Sequence, residues 1–201
     1  MSINSYVLPV VERADWLNSQ VQGHWTYANY LALPQDGNRY EVLEGIIYMS
    51  PAPNFAHQDA TGGFYSYLRT YVKLTGLGQV IIAPFDVDLG AGYVVQPDVL
   101  VVLKANKYKL EPGKLVGAPD LVVEVASPAT AGYDRTKKQE AYARAGVPEY
   151  WIADAAARTV ELLTLEQTTN TYRSLGVFFG KAILPSQIVP QLPVEVAQFF
   201  S

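Results

Sequence analysis

Two almost wholly apolar runs of the chain each carry a carboxylate. Asp98 lies in Val94-Val95-Gln96-Pro97-Asp98-Val99-Leu100-Val101-Val102. Glu124 lies in Pro119-Asp120-Leu121-Val122-Val123-Glu124-Val125-Ala126. Apolar, β-branched runs of this kind form strands, and the continuous character of the second points to burial on both faces of a sheet. An ionised carboxylate in such a place costs several kcal/mol unless a partner or a metal compensates it. The fold must therefore bring positive charge to both acids, and two such acids in neighbouring strands suggest a site that holds a cation.

At 201 residues the chain fits one domain with a sizeable core. No apolar run approaches the ~20 residues that a membrane-spanning helix needs. Met1 to Pro9 lacks a basic start followed by an apolar core, so no signal peptide is read there. The absence of cysteine excludes disulfides, thiol nucleophiles and zinc–thiolate sites, and a cytoplasmic location is the expectation. A net charge of −4 and a pI of about 5.2 argue against a broad, sequence-independent coat on nucleic acid. They leave room for a local basic surface. Lys104, Lys107, Lys109 and Lys114 stand against the single acid Glu111, a pattern that also suits an ordinary solvated loop.

Residues 1–24 read as an irregular N-terminal arm, suited to packing on a partner subunit, and 25–201 as a single domain. Thr26 caps a short helix through Leu33. Arg39 to Leu43 and Ile46 to Ser50 form a hairpin around Glu44-Gly45. Residues 55–75 carry Phe64, Tyr67, Leu68, Tyr71 and Leu74 at helical spacing. Strands are expected over 79–89, 93–103 and 120–127. A helix follows from Asp134 to Ala145, stopped by Gly146 and Pro148. Strands 149–154, 159–166 and 171–179 come next, and Val194 to Phe200 suits a short terminal helix. The order ββ, α, βββ, α, βββ gives an α/β (α+β) fold, a mixed β-sheet flanked by few helices.

Side chains alternate along a strand. Gln96, Asp98 and Leu100 would share one face, as would Val122, Glu124 and Ala126. If the two strands are neighbours, Asp98 and Glu124 point to one spot. In the helix from Asp134, positions 138, 141, 142 and 145 share a face, so Lys138 heads the side that packs on the sheet. Two carboxylates and a lysine suit phosphodiester hydrolysis: the acids hold a hard divalent ion, which makes a nucleophile of bound water, and the lysine adds a point charge near the phosphate. They suit equally a buried Asp–Lys–Glu network that only holds the fold together. Asp134 would cap the helix or orient Lys138. Tyr142 reads as core with a hydroxyl within reach of the site.

These residues fall in a recognisable order. Tyr40-Glu41-Val42-Leu43-Glu44-Gly45 running to Pro53, His57-Gln58, Gln96-Pro97-Asp98-Val99, Pro119 to Val125 with Ser127-Pro128, Tyr133 to Lys138 and Tyr142 to Asp154 together resemble the Uma-type restriction endonuclease family, long known as a domain of unknown function. The likeness runs from about Thr26 to beyond Asp154. That family belongs with the PD-(D/E)xK nucleases. The resemblance implies a restriction-endonuclease-like core and a Mg²⁺- or Mn²⁺-dependent endonuclease acting on DNA. Pro97-Asp98 matches the PD element, Glu124 the second acid, and the carbonyl of Val125 an added metal ligand. The standard motif has lysine at position 126, where this chain has Ala126, and Lys138 in the next helix takes that role. Glu41 matches an upstream acid. His57, Gln58 and Arg135 are candidates for contact with phosphate or water.

Three readings therefore stand. One is a metal-dependent nuclease, expected as a homodimer. Another is a catalytically inactive nuclease-fold module that binds nucleic acid or protein. The third is a structural homodimer whose acids merely pair with Lys138.

Overall fold

A computed structural model describes residues 11–17, 21–34, 36–50, 52–127 and 130–200. In chain order it begins with β1 (Glu12–Arg13), α1 (Tyr27–Leu31), β2 (Arg39–Leu43), β3 (Ile46–Ser50) and α2 (Phe55–Leu68), which continues as a π-helical turn, Arg69–Lys73. Next come β4 (Gly78–Ile82), β5 (Asp86–Gly90), β6 (Tyr93–Val95) and β7 (Val99–Leu103). A 3₁₀ turn, Lys104–Lys109, leads into β8 (Leu110–Glu111), β9 (Lys114–Val116) and β10 (Leu121–Ala126). α3 (Ala131–Tyr133), a π turn (Asp134–Lys138) and α4 (Gln139–Ala145) run on from one another. β11 (Glu149–Asp154), β12 (Thr159–Glu166), β13 (Thr171–Phe179) and a 3₁₀ turn, Val196–Phe200, complete the described chain.

The mixed architecture with few helices holds, but the strands divide between two sheets. One runs β1-β3-β2-β6-β5-β9-β8 and the other β13-β12-β11-β10-β7-β4. The expected long strands 79–89 and 93–103 are each cut in two, and each half joins a different sheet. Proline explains both cuts. Pro84 and Pro97 have no N–H for a ladder, so pairing stops at them and the chain changes direction. The two crossing points lie side by side, with the Ala83 N–H donating to the Asp98 carbonyl at 3.0 Å. Asp98 is thus not within a strand. It sits in the bend between β6 and β7, so the face shared by Gln96, Asp98 and Leu100 does not exist.

The second sheet is covered on both sides. β10 is buried at every residue, lying antiparallel to β7 and parallel to β11. Val99, Val101, Leu121, Val123 and Val125 face α2 and the π turn that continues it, which together contribute Ala60, Phe64, Leu68 and Val72. The π turn shifts the phase of this helix, burying Val72 and leaving the expected core residue Leu74 at 65% exposure. The final 3₁₀ turn closes over α2, with Phe64 and Phe199 stacked at 4.4 Å between ring centres. A Cβ added to Gly63 would lie 2.1 Å from the Phe199 carbonyl oxygen, so only glycine permits this approach. On the opposite face Leu100, Val102, Val122 and Ile152 pack with Ala141, Tyr142 and Val147. Gly146, left-handed at φ 83°, ends α4.

Residues 1–10 and 18–20 of the N-terminal arm lie outside the described residues. The described part packs on the protein's own sheet. β1 pairs with Met49 and Tyr48 of β3, and Ala14 is fully buried beside Trp25, Val42 and Ile47. The lysine-rich stretch is a 3₁₀ turn and a small hairpin rather than a loop. Within it Lys109 donates to the Ala118 carbonyl and Lys114 pairs with Asp88.

Candidate active site

Two strands, the bend between β6 and β7 and one helical segment each deliver a charged side chain to the same interior point. In β2, alternation sends Tyr40 and Val42 into the small core around Trp25 and turns Glu41 the other way. In β10, Glu124 shares with Val122 and Ala126 the face that α4 covers. Asp98 enters from the proline bend. Lys138 ends the π turn, and π turns are frequent at functional sites. Glu41, Asp98, Glu124, Asp134 and Lys138 are all buried, none more than 3% exposed.

Lys138 Nζ stands 2.9 Å from Glu124 Oε1, 3.0 Å from Glu41 Oε1 and 3.8 Å from Asp134 Oδ1. The Tyr142 hydroxyl donates to the same Glu124 oxygen at 2.6 Å. Arg39 Nη1 donates to Asp98 Oδ1 at 3.1 Å, and its Nη2 lies 3.7 Å from Glu41 Oε1. Asp98 Oδ2 accepts from the Val125 N–H at 2.8 Å and faces His57 Nε2 at 3.1 Å. The Gln96 N–H donates to Glu41 Oε1 at 2.8 Å. Asn54 caps α2 by accepting from the His57 N–H, which fixes where the imidazole starts.

Four carboxylates thus share two permanent cations, Arg39 and Lys138, with His57 a third only when protonated. The consequence shows in their acidities. Burial, with Asp98, Asp134 and Glu41 nearby, pushes the Glu124 carboxyl up to about 8 against the pull of Lys138. Burial likewise raises Asp134 to about 6. Asp98 goes the other way: although burial opposes it, the His57 hydrogen bond and the Arg39 guanidinium hold its carboxyl well below the usual range. Lys138 is raised despite burial by Glu124 and Glu41.

A family described as "Putative restriction endonuclease" matches residues 27–197 of this chain. The chain belongs to that family, Uma2. No curated protein matches it. Among solved structures it is similar to a chain titled "a putative nuclease belonging to DUF820 from Anabaena variabilis". The TM-score is 0.72 at 22% sequence identity, covering 87% of this chain and 97% of that one, which shows a shared fold.

Of the residues singled out from sequence in this Uma2 chain, Asp98, Glu124, Lys138, Glu41 and His57 meet in one cluster. Gln58 is exposed one position beyond His57, at the rim of the adjoining cavity. Arg135 is not part of the cluster. It is half-exposed and pairs with Glu161 of β12. Arg39 was missed, although it shares a strand face with Glu41 two residues on, and that spacing was visible. Tyr142 does send its hydroxyl to the site.

The donor chemistry fits a hard divalent cation. The ligands available are carboxylate oxygens, the negative charge is in surplus, and Glu41 Oε2 is buried without a hydrogen-bond partner. The spacing, however, is that of ion pairs. Arg39 and Lys138 stand between the acids, and among the described residues no three Asp, Glu or His side chains form a ready metal cage. A cavity of about 480 Å³ opens beside the cluster, with Arg39, His57 and Asp98 in its wall.

Proposed function

We propose that this Uma2 protein is a cytoplasmic, Mg²⁺- or Mn²⁺-dependent nuclease that hydrolyses DNA phosphodiester bonds at the Asp98–Glu124 cluster. The observation that carries the reading is the surplus of buried carboxylate charge around Lys138, beside a cavity that exposes Asp98 to a ligand. In this reading Asp98 and Glu124 hold the ion and Glu41 assists. The Val125 carbonyl joins them, because a strand residue's N–H and C=O face the same side and the Val125 N–H already faces Asp98. The bound ion would supply a water of lowered pKa and neutralise charge on the phosphoryl oxygens.

The chain's own residues do the rest. Lys138 places its ammonium between Glu41 and Glu124, where it stabilises negative charge that builds up on the phosphate. His57, held by Asp98 at Nε2, lies at the cavity wall and orients water or phosphate. Gln58 at the rim binds substrate. Arg135, engaged with Glu161, has no part in the step. A homodimer belongs to the same proposal. β13 is nine residues long, stands at the edge of its sheet, and leaves Val177 and Phe179 exposed, which is where a second copy would pair.

The test is Mn²⁺-dependent cleavage of plasmid and single-stranded DNA by wild type and Asp98→Ala. Wild type should cut and the variant should lose at least about a hundredfold in rate, since metal stabilisation is worth several kcal/mol. Equal activity in both rejects the assignment. A second reading, an inactive module on the nuclease fold, is favoured by Arg39 and Lys138 already lying between the acids. It predicts no heat on calorimetric titration with Mn²⁺ and no cleavage.

A further inference from the structure

We infer that the cavity beside Asp98 receives a single unstacked nucleotide, so that the substrate is single-stranded, or locally opened, nucleic acid rather than intact duplex. The inference rests on the nuclease reading of the neighbouring cluster and adds to it the form of the substrate.

Size is the first argument. A volume of about 480 Å³ falls among pockets that enclose one small ligand and is far from a trough that seats a double helix. Asp98, a candidate metal ligand, is in the wall of this cavity, whereas Glu41, Glu124 and Lys138 are not. A phosphate therefore approaches the cluster through the cavity, and its nucleotide must come with it. In a duplex that requires pulling the base from the stack at a cost of a few kcal/mol, which a single strand does not incur.

The lining is the second argument. Among the described residues Arg39 is the only permanent cation in the wall, and its side chain is 22% exposed. It offers charge to one phosphate. Tyr30 also lines the cavity, and an aromatic ring is a stacking platform for an unpaired base of any sequence. Tyr30 is braced for this. Its hydroxyl donates to Asp86 at 2.9 Å and accepts from Gln96 Nε2 at 2.9 Å. Asp36 and Asp86 in the same wall repel a second phosphate. A net charge of −4 argues against the wide basic footprint on which duplex binding depends. One phosphate and one base, not a row of phosphates, are what this surface can grip.

The experiment measures binding, not cleavage, and uses EDTA so that no metal takes part. A short fluorescein-labelled oligonucleotide is titrated with the whole protein as a single strand and as its duplex, and anisotropy is followed over a range of salt. The single strand should bind at least about tenfold tighter. Its log K should fall with log salt at a slope near −0.7 to −1.4, the value for one or two phosphates. Gln58→Glu, at an exposed position of α2, adds a negative charge at the cavity rim. It should weaken single-strand binding about tenfold with an unchanged melting temperature. Asn38→Glu, exposed in the turn before β2 and also in the lining, does the same should the first variant fold poorly. Equal or tighter duplex binding, no binding of either form, a slope steeper than about −3, or indifference to both substitutions overturns the inference. Plasmid cleavage with Mn²⁺ but no single-strand preference leaves the nuclease and removes the pocket. Single-strand preference without any cleavage leaves the pocket and removes the nuclease.

Discussion

Glu124 and Glu149 stand on adjacent parallel strands of the same sheet, both buried, at 2% and 1% exposure. Glu149 lies on the face with Trp151 and accepts only from neutral donors: Trp151 Nε1 at 2.8 Å, Ser186 Oγ at 2.6 Å and the Gln187 N–H at 2.8 Å. Among the described residues no cation pairs with it. Glu124 lies on the opposite face, where a lysine and a tyrosine serve one of its oxygens and three further carboxylates crowd around. Glu149 solves the burial of a charge with dipoles and ties the C-terminal segment to the sheet. Glu124 belongs to a group whose charge is left unbalanced. Burial of an acid alone is therefore no sign of chemistry. The useful distinction is whether the neighbours satisfy the charge or add to it.

Neutralising each acid in turn should separate their roles by the largest margin. Glu124→Gln should lower Mn²⁺-dependent cleavage about a thousandfold, the equivalent of roughly 4 kcal/mol in the barrier. Glu149→Gln should leave cleavage within a few-fold and cost about 1–3 kcal/mol of stability through its disturbed hydrogen bonds. Cleavage rates corrected for folded fraction decide it. If the two variants lose activity alike, the different surroundings of Glu124 and Glu149 have no functional content.

Removing the cation is the next test. Lys138→Met keeps the volume of the side chain and leaves Glu41 and Glu124 without their shared partner. Stripping one member from a buried ion pair costs about 3–5 kcal/mol, so chelator-treated protein should unfold at markedly lower denaturant. Mn²⁺ should restore part of the loss, because a divalent ion can take over the compensation. A Glu149→Gln protein should gain from Mn²⁺ only as much as wild type does.

How far this contrast could be seen in the chain itself depends on how local its causes are. Asp98 and Glu124 were legible because an ionised group in an apolar run is costly wherever the run ends up. Lys138 was legible because helical periodicity fixes which residues face the sheet. Glu149 was not singled out, since two of its donors come from Ser186 and Gln187, 37 and 38 positions away, and no short-range pattern announces them. The division into two sheets had a visible sign in Pro84 and Pro97, but which half joins which sheet depends on pairings such as Val42 with Val94 and Ile82 with Val99. Those are decided by tertiary packing, as is the placement of Arg39 between Asp98 and Glu41.

The smallest expected effect is also the most diagnostic, because its sign separates the two acids. In metal-free protein the folded-state carboxyl of Glu124 is raised to about 8 from 4.5, mainly by burial. Between those values the folded chain holds a proton that the unfolded chain has released. Stability is therefore highest below about pH 4.5 on this account and falls as the pH rises toward 8. Asp134, raised to about 6 from 3.8 for the same reason, adds in the same direction over the lower part of the window. Asp98 is lowered, so its contribution is present above 3.8 and is lost only as the pH drops below that value. Urea melts from pH 5 to 8 in EDTA should show the decline in wild type and in Glu149→Gln, and a shallower one in Glu124→Gln. Saturating Mn²⁺ should flatten it, since metal binding favours the ionised carboxylates and its stabilisation must then grow with pH. A metal-free stability that rises through this range would mean that Glu124 is ionised and fully compensated in the fold, and the contrast with Glu149 would disappear.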